Sequence, residues 1–484
     1  MNFHDIFKND CHLDVNAENE VNKMAITEPA TGAVLGSFVY SSPHDIDTQV
    51  EKAKQAQTKW KNVDFQTRSN VLRRFAELLG ANAELINTWN IRECGSIPDK
   101  AQWELKACIE QAYMSATMPL EATGEILPSS MPGRENHWIR VPLGVIGVIS
   151  PWNFPLLLSL RAVLPALAMG NSVVLKPDVN SAVTGGFLIV DLLKQAGLPD
   201  HVCSLVLGDG EAGHQVVTHK DVHMIAFTGS TAVGRSIGEF CGKHLKKSSL
   251  ELGGNNAFVV TDDVDIDPVA SCAAWGSFLH QGQICMQSGR HIVHQSRVTA
   301  YASRLKERAQ ALHVGNPFTD SVHLGPMITL KQANRVMQLI NDSVALGAKV
   351  LCGGKQEGHY IYPTVITDVT PDMPIYKEEI FGPVAPIISY SNDKELIDLI
   401  DESEYGLAAA IHCKNTDRAR SIANSIDVGM VHINDQTVNN EYQVPFGGMK
   451  ASGNHSRFGG VVNIDEFSQR KWISTTAAPI EYPF

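Results

Sequence analysis

At 484 residues the chain exceeds the size at which one hydrophobic core stops growing, so two or more domains are expected. Its 44% hydrophobic and 19% charged residues are those of an ordinary globular protein and exclude extended disorder. A net charge of −12 argues against non-specific nucleic-acid binding and against docking on an anionic membrane.

From the amino end, the segment Met-Asn-Phe-His-Asp-Ile-Phe-Lys-Asn-Asp (1–10) has no cationic stretch followed by an apolar one, so no signal peptide is expected. Residues 44–122 read as mostly helical, with helix-spaced apolar positions around Val71, Leu72, Phe75 and Leu79. Residues 121–141 turn polar and then β-like. From about residue 144, short β-branched runs alternate with helical patterns. Strands are expected at 144–150, 172–176, 203–207 and 224–228, and helices at 156–169, 182–196 and from 231 to about 244. This rhythm implies a parallel sheet covered by helices, which binds ligands at the carboxyl ends of its strands. A second α/β cycle opens near 257–260 and runs to about 450. It includes a helix before Cys285, a strand at 291–294 and an amphipathic helix at 297–312. Residues 121–141 and the tail after Ile464 fit neither unit.

The most apolar stretches, 144–149 and 156–169, are separated by Pro-Trp-Asn-Phe-Pro, and Arg161 interrupts the second. Neither reaches the roughly 20 apolar residues of a bilayer span, so a cytoplasmic protein without membrane contact is expected. Nine cysteines form an odd, scattered set without a Cys-x-x-Cys pair, which favours free thiols in a reducing compartment. Most of them should be inert buried thiols. The 18 histidines show no ligand spacing, and no metal site is expected.

Cys285, in Gln-Gly-Gln-Ile-Cys-Met (281–286), is the exception among the thiols, because Glu251 precedes it in Leu-Glu-Leu-Gly-Gly (250–254). A thiol attacks well only as thiolate, and a carboxylate in the same cleft can activate the water that later frees an acyl group. Thr228-Gly229-Ser230-Thr231-Ala232-Val233-Gly234 follows a strand and opens a helix, where backbone N–H groups can hold a phosphate. Read alone, a Ser/Thr-capped helix explains that string better, since Thr231 replaces the middle glycine of the dinucleotide fingerprint. Asn153, in Pro151-Trp152-Asn153-Phe154-Pro155, is held in a rigid loop where its amide could donate to an oxyanion; a generic turn asparagine would instead satisfy its own backbone. Lys176, in Val-Val-Leu-Lys-Pro-Asp, ends the next strand and could equally be a solvated charge.

Together with Glu-Glu-Ile-Phe-Gly-Pro-Val (378–384) and Pro-Phe-Gly-Gly-Met-Lys-Ala-Ser-Gly (445–453), these strings resemble the aldehyde dehydrogenase superfamily from Trp60 and Arg68 to Phe458. Gln-Ile-Cys-Met, Ser-Gly-Arg-His (288–291), Lys-Pro-Asp and Ser-Arg-Phe-Gly-Gly (456–460) are most similar to its benzaldehyde and vanillin dehydrogenase branch. The resemblance implies an α/β fold with a Rossmann-type dinucleotide-binding domain (1–120 and 143–253) and a catalytic α/β domain (254–460). It also implies a small β bridging unit (121–142 and 461–484) that joins subunits into a homodimer or homotetramer.

The same resemblance implies Cys285 as nucleophile, Glu251 as base and Asn153 as oxyanion donor. NAD, or NADP, would be held by Ile149, Trp152, Lys176, Gly229, Ser230, Gly234, Leu252, Glu379 and Phe381. Phe154, Leu158, Ile284, Met286 and Phe446 would line the aldehyde tunnel, and Arg161 could face its mouth and meet a ring hydroxyl, or form a surface or interface salt bridge. Three departures stand out: Val179 where NAD-preferring members often carry Glu, Asn255-Asn256 after Glu-Leu-Gly-Gly, and Asn454-His455-Ser456-Arg457 after Ser-Gly.

The expected reaction is NAD(P)-dependent oxidation of an aldehyde, aromatic by this reading, to its acid through a thioester on Cys285. Aliphatic or semialdehyde oxidation, CoA acylation and simple thiol hydrolysis are the alternatives. Glu251 counts against the second, and the nucleotide-type motifs count against the third. A catalytically silent binding protein on the same fold is opposed by Cys285, Glu251 and Asn153 occurring together.

Overall fold

The computed structural model describes residues 23–121 and 123–484; the segment 1–10, expected to carry no signal peptide, and Cys11 lie outside them. After an antiparallel ribbon (Lys23–Thr27 with Val34–Val39), four helices follow: Pro43–Trp60, Phe65–Ala81, Ala83–Cys94 and Pro98–Ser115. Their starts are locally encoded. Ser42 and Asp45 form a reciprocal capping box, and Asp64 accepts from the Thr67 N–H.

Five parallel strands make the first sheet, in the order Cys203–Leu205, Ser172–Lys176, Val145–Ile149, Met224–Thr228, Lys247–Glu251. The chain adds strands to one side of Val145–Ile149 and then to the other, so the order reverses beside that strand. A crevice at the carboxyl edge follows from such a reversal. Register aligns Ile149 with Lys176 and Phe227, and Thr228 with Glu251, so the motif residues emerge along one edge.

Seven strands form the second sheet: Lys349–Cys352, Thr364–Thr367, Val384–Tyr390, Arg290–His294, Ala257–Val260, Ala408–His412 and Met430–Ile433. All its pairings are parallel except that of the edge strand Lys349–Cys352. Residues 252–256 run from the carboxyl edge of the first sheet to the amino edge of the second, and the site lies at that junction. The two stretches that fitted neither α/β unit pair with each other. Arg134–Pro142 is the central strand between Gly124–Leu127 and Ser468–Thr476, with Trp138 opposite Trp472.

Every residue of the helix Pro155–Ala168 is buried, as expected of a segment apolar on all sides. Each fully buried leucine there contributes roughly 1.5–3 kcal/mol. The helix expected over 182–196 differs in its first half, where Val183–Phe187 winds as a wide π-type turn before Leu188–Gln195 becomes regular. Tertiary contacts hold the turn: the buried Glu93 carboxylate caps its start by accepting from the Val183 and Thr184 N–H groups, while Gly185 packs closely on Pro155 and a side chain on Gly186 would overlap Pro177. Among the described residues no helix is long and apolar enough to cross a membrane.

Candidate active site

Cys285 follows the helix Ile266–Phe278 through a turn in which His280, Gln281 and Gly282 all have left-handed backbone (φ 49°, 55° and 67°). Such conformations persist where the surroundings impose them. Here Gln281 Nε2 donates to the Gly95 and Pro326 carbonyls, and a side chain on Gly282 would strike the Gly382 carbonyl. Asn256 closes the loop by donating to the Cys285 and Gln287 carbonyls, at 2.8 and 2.7 Å. Its own Oδ1 accepts from the Ala408 N–H, and Asn255 Nδ2 holds the Tyr376 carbonyl. Asn256 of the Asn255-Asn256 departure is therefore a clamp on the Cys285 loop, while Asn255 ties it to Tyr376.

Cys285 opens partly onto a cavity, yet the surrounding protein pushes its thiol up to about 12. Desolvation dominates that rise; Arg161 pulls against it, and Glu379 and Glu251 add to it. A thiol in this state needs a base or a change of surroundings to react.

Glu251 is buried at the end of its strand, and neither carboxylate oxygen makes a formed hydrogen bond. Burial raises its carboxyl to about 8; Arg161, Arg457 and the nearby Gly448 N–H oppose the rise without reversing it. A carboxyl poised near 8 suits proton transfer near neutrality. The 448–457 loop fixes its strand: Asn454 accepts from the Leu250 N–H and donates to the Ser248 carbonyl, and the Leu252 N–H donates to the Ser452 carbonyl. The Asn454–Arg457 departure thus braces the strand that carries Glu251.

Asn153 is buried and donates one amide hydrogen to the Gln283 carbonyl at 2.9 Å, which leaves the second hydrogen of that amide. No backbone carbonyl among the described residues takes the Cys285 N–H, which lies against its own sulfur. Two donors are therefore available beside the sulfur. The loop bearing Asn153 is anchored by a buried pair, because Glu104 accepts from the Leu157 N–H at 3.0 Å and from Lys100 Nζ at 2.6 Å. Lys100 also lies 4.4 Å over the Phe154 ring.

Along the carboxyl edge of the first sheet runs a groove of about 900 Å³, lined by Ile149, Trp152, Lys176, Gly229 and Ser230 among others. Lys176 is 7% exposed and has no hydrogen bond or ion pair among the described residues, so it is not a solvated surface charge. Ser230 makes no side-chain cap, which leaves the first-turn N–H groups of Thr231–His244 to a ligand rather than to a capped helix. Gly234 does not line the groove. A side chain there would overlap Leu252, so the two set the close packing of helix on strand. Glu379 accepts from the Gly254 N–H at 2.9 Å and lies where any side chain on Gly253 would project; burial raises its carboxyl to about 7. Phe381 meets Trp152 edge to face at 5.6 Å. An uncapped helix start, an unpartnered buried lysine and a long groove fit a dinucleotide.

On the other side of Cys285 is a cavity of about 350 Å³. Phe154, Leu158, Ile284, Met286 and Phe446 all line it, with Asn153 and Arg161. Trp103, Trp275 and Asn440 line it too and were not singled out from sequence. Trp103 and Trp275 stand half-exposed on their helices, which helical periodicity alone does not reveal. Arg161 lies inside the protein, 5% exposed, with no carboxylate partner among the described residues, so it is not a surface salt bridge.

The sequence profile of the aldehyde dehydrogenase family matches residues 15–473. The chain belongs to the aldehyde dehydrogenase family. This aldehyde dehydrogenase is 48% identical to benzaldehyde dehydrogenase [NAD(+)] of Pseudomonas putida, over 95% of this chain and 94% of that one. It is 47% identical to vanillin dehydrogenase of an Amycolatopsis strain, over 95% of each. The crystal structure of a salicylaldehyde dehydrogenase from Pseudomonas putida G7, complexed with salicylaldehyde, superposes with a TM-score of 0.92 at 32% identity, over 96% of both chains.

Proposed function

We propose that this aldehyde dehydrogenase oxidises aldehydes of the benzaldehyde type to carboxylic acids with NAD. The 350 Å³ cavity carries the reading: its apolar lining offers aromatic faces and ends on Cys285. The activities by which the benzaldehyde, vanillin and salicylaldehyde relatives are named support it. In the reaction, Cys285 Sγ bonds to the aldehyde carbon as its proton leaves for a base. The Asn153 amide and the Cys285 N–H take up the charge that develops on oxygen. Ile149, Trp152, Lys176, Gly229 and Ser230 would hold the dinucleotide, with Glu379 and Phe381 at its nicotinamide end; when bound, it supplies the acceptor for the hydride. Glu251, as carboxylate, then takes a proton from the water that cleaves the thioester on Cys285.

Benzaldehyde is expected to exceed propanal in kcat/KM by roughly 10-fold or more, the scale of one or two well-packed apolar contacts. A carboxylate-bearing semialdehyde is the second reading, favoured by the unpaired Arg161 guanidinium. Steady-state rates with benzaldehyde, propanal and glutarate semialdehyde decide between them, and equal use of propanal removes the aromatic assignment.

For the dinucleotide, Val179 offers no charge, but Asp178 and Asp209 both line the groove beside Lys176. Asp178 is fixed there by accepting from the Asn180 N–H. A 2′-phosphate would meet these carboxylates, so NAD should outperform NADP while NADP remains usable. Asp178→Ser should narrow the ratio of kcat/KM values by about tenfold if it relieves roughly 1.4 kcal/mol of repulsion. Preference for NADP in the unmodified enzyme would refute this.

The proposed division of labour assigns 1–120 and 143–253 to the dinucleotide, 254–460 to the nucleophile, and 121–142 with 461–484 to assembly. Ile126, Trp472 and Ile473 stand exposed on the three-stranded sheet and support a homodimer or homotetramer, for which the cytoplasm is the proposed location. Light scattering that found a monomer would contradict the assembly, and recovery from the periplasmic or membrane fraction would contradict the location.

A further inference from the structure

Lys100 and Glu104 form an ion pair at 2.6 Å on successive turns of the helix Pro98–Ser115, with side chains 1% and 0% exposed. Taking two charges out of water costs about as much as their attraction returns, so a pair this deep adds little stability over apolar residues of similar size. What it does supply is geometry. Glu104 Oε2 also accepts from Asn90 Nδ2 at 2.8 Å, and Asn90 Oδ1 accepts from Ser96 Oγ at 2.6 Å and from Lys100 Nζ at 3.3 Å. The pair is thus set in a buried polar network.

That network reaches Asn153 from two sides. On one, the helix Pro155–Ala168 has no side-chain cap of its own, and Glu104 Oε1 takes the Leu157 N–H of its first turn at 3.0 Å. On the other, Lys100 Nζ sits 4.4 Å over the ring of Phe154, the residue after Asn153. His280 and Trp103 meet the same ring edge to face at 5.6 and 6.0 Å. Burial and the Lys100 charge hold His280 well below the usual histidine range, so it packs there as a neutral ring. The Asn153 amide has little else to orient it. Its Oδ1 is buried without a partner, and its one hydrogen bond runs to the Gln283 carbonyl. The direction of the free amide hydrogen therefore follows the loop, and the loop is held by Lys100 and Glu104.

We propose that Lys100 and Glu104 are positioning residues, which act on the rate by aiming the Asn153 amide at the aldehyde oxygen. The inference rests on the reading of Asn153 as oxyanion donor and adds the pair that aims it.

The test is a mutant cycle read on the rate of first-turnover NADH formation. Glu104→Gln keeps the shape, but its single carbonyl oxygen cannot serve Leu157, Asn90 and Lys100 together. It should slow that step by about tenfold or more, with benzaldehyde and propanal alike, and leave the Kd for NAD unchanged. Asn153→Ala should slow the step by roughly 10²–10³-fold, as for loss of an oxyanion donor. In the Asn153→Ala enzyme, Glu104→Gln should then cost less than about twofold, because the group it aims is gone. Lys100→Met, which removes the cation over Phe154, should follow the same pattern with a smaller loss. A pair that only supported the fold would slow both backgrounds equally.

If Glu104→Gln does not fold, the double variant Lys100→Met/Glu104→Gln removes both charges at once and carries the same readout. A first turnover unchanged by these variants, or equal losses with and without Asn153, overturns the proposal. So does a loss confined to benzaldehyde, which would put Lys100, a residue of the cavity wall, in contact with the substrate ring instead. If Asn153→Ala itself leaves the first turnover unchanged, the oxyanion reading falls and this inference with it.

Discussion

Cys285→Ala is expected to abolish aldehyde oxidation while leaving the fold and dinucleotide binding intact. The substitution removes one sulfur atom that faces a cavity, so it creates no large void in a packed core. The backbone contacts that shape the loop remain, because Asn256 grips carbonyl oxygens and Gln281 grips the turn before it. Lys176 and the open start of Thr231–His244 lie in a separate groove and are untouched. Without a nucleophile no covalent adduct forms, and the donors at Asn153 and residue 285 have no oxyanion to stabilise. Dinucleotide reduction should fall to background for every aldehyde, while titration of NAD by protein fluorescence gives an unchanged Kd. Substantial remaining turnover would mean that another residue is the nucleophile. The other described cysteines offer little competition, because none of Cys94, Cys108, Cys203, Cys241, Cys272, Cys352 and Cys413 lines the cavity.

Glu251→Gln should preserve a first-turnover burst of NADH and then stall as the thioester, with a steady-state rate lower by roughly 10²–10⁴-fold. Glutamine matches the shape of the buried acid but cannot take a proton from water. The pH dependence follows from the raised carboxyl. At pH well below 8 the folded enzyme holds Glu251 protonated and inactive as a base; as pH rises through about 8 the carboxylate appears and deacylation accelerates. That rising limb in the steady-state rate should vanish in Glu251→Gln. Loss of the burst itself would show that Glu251 acts earlier, by taking the thiol proton from Cys285. Stopped-flow absorbance across pH separates the two outcomes, because the burst reports attack and hydride loss while the later phase reports hydrolysis.

The proposed nucleophile, the proposed base and the dinucleotide-type strings are legible in the sequence because their chemistry is carried by short, contiguous residues. Gln-Ile-Cys-Met and Pro-Trp-Asn-Phe-Pro identify themselves wherever the chain places them. The alternation of β-branched runs with helical periodicity likewise encodes the strands Val145–Ile149, Ser172–Lys176 and Met224–Thr228 to within a residue or two. The anomalous stretches around 121–141 and after 464 were visible as misfits, but their pairing was not, since strand partners so far apart leave no local trace.

Other features depended on tertiary contacts. The helix expected from 182 begins as a wide turn whose start is capped by Glu93, on a different helix. Ser230 has the composition of a helix cap yet makes no cap, and that distinction lies in one side-chain geometry.

Arg161 was ambiguous between cavity and surface because helical spacing fixes a face and says nothing about what covers it. Its burial, its place over Phe446 and its lack of a carboxylate depend on residues from 440 to 446 reaching the helix Pro155–Ala168. Local sequence thus determined which reactive groups the chain carries and the periodic elements that hold them. Only the folded structure decided their solvation and their neighbours, because desolvation and charge pairing act through space between segments hundreds of residues apart.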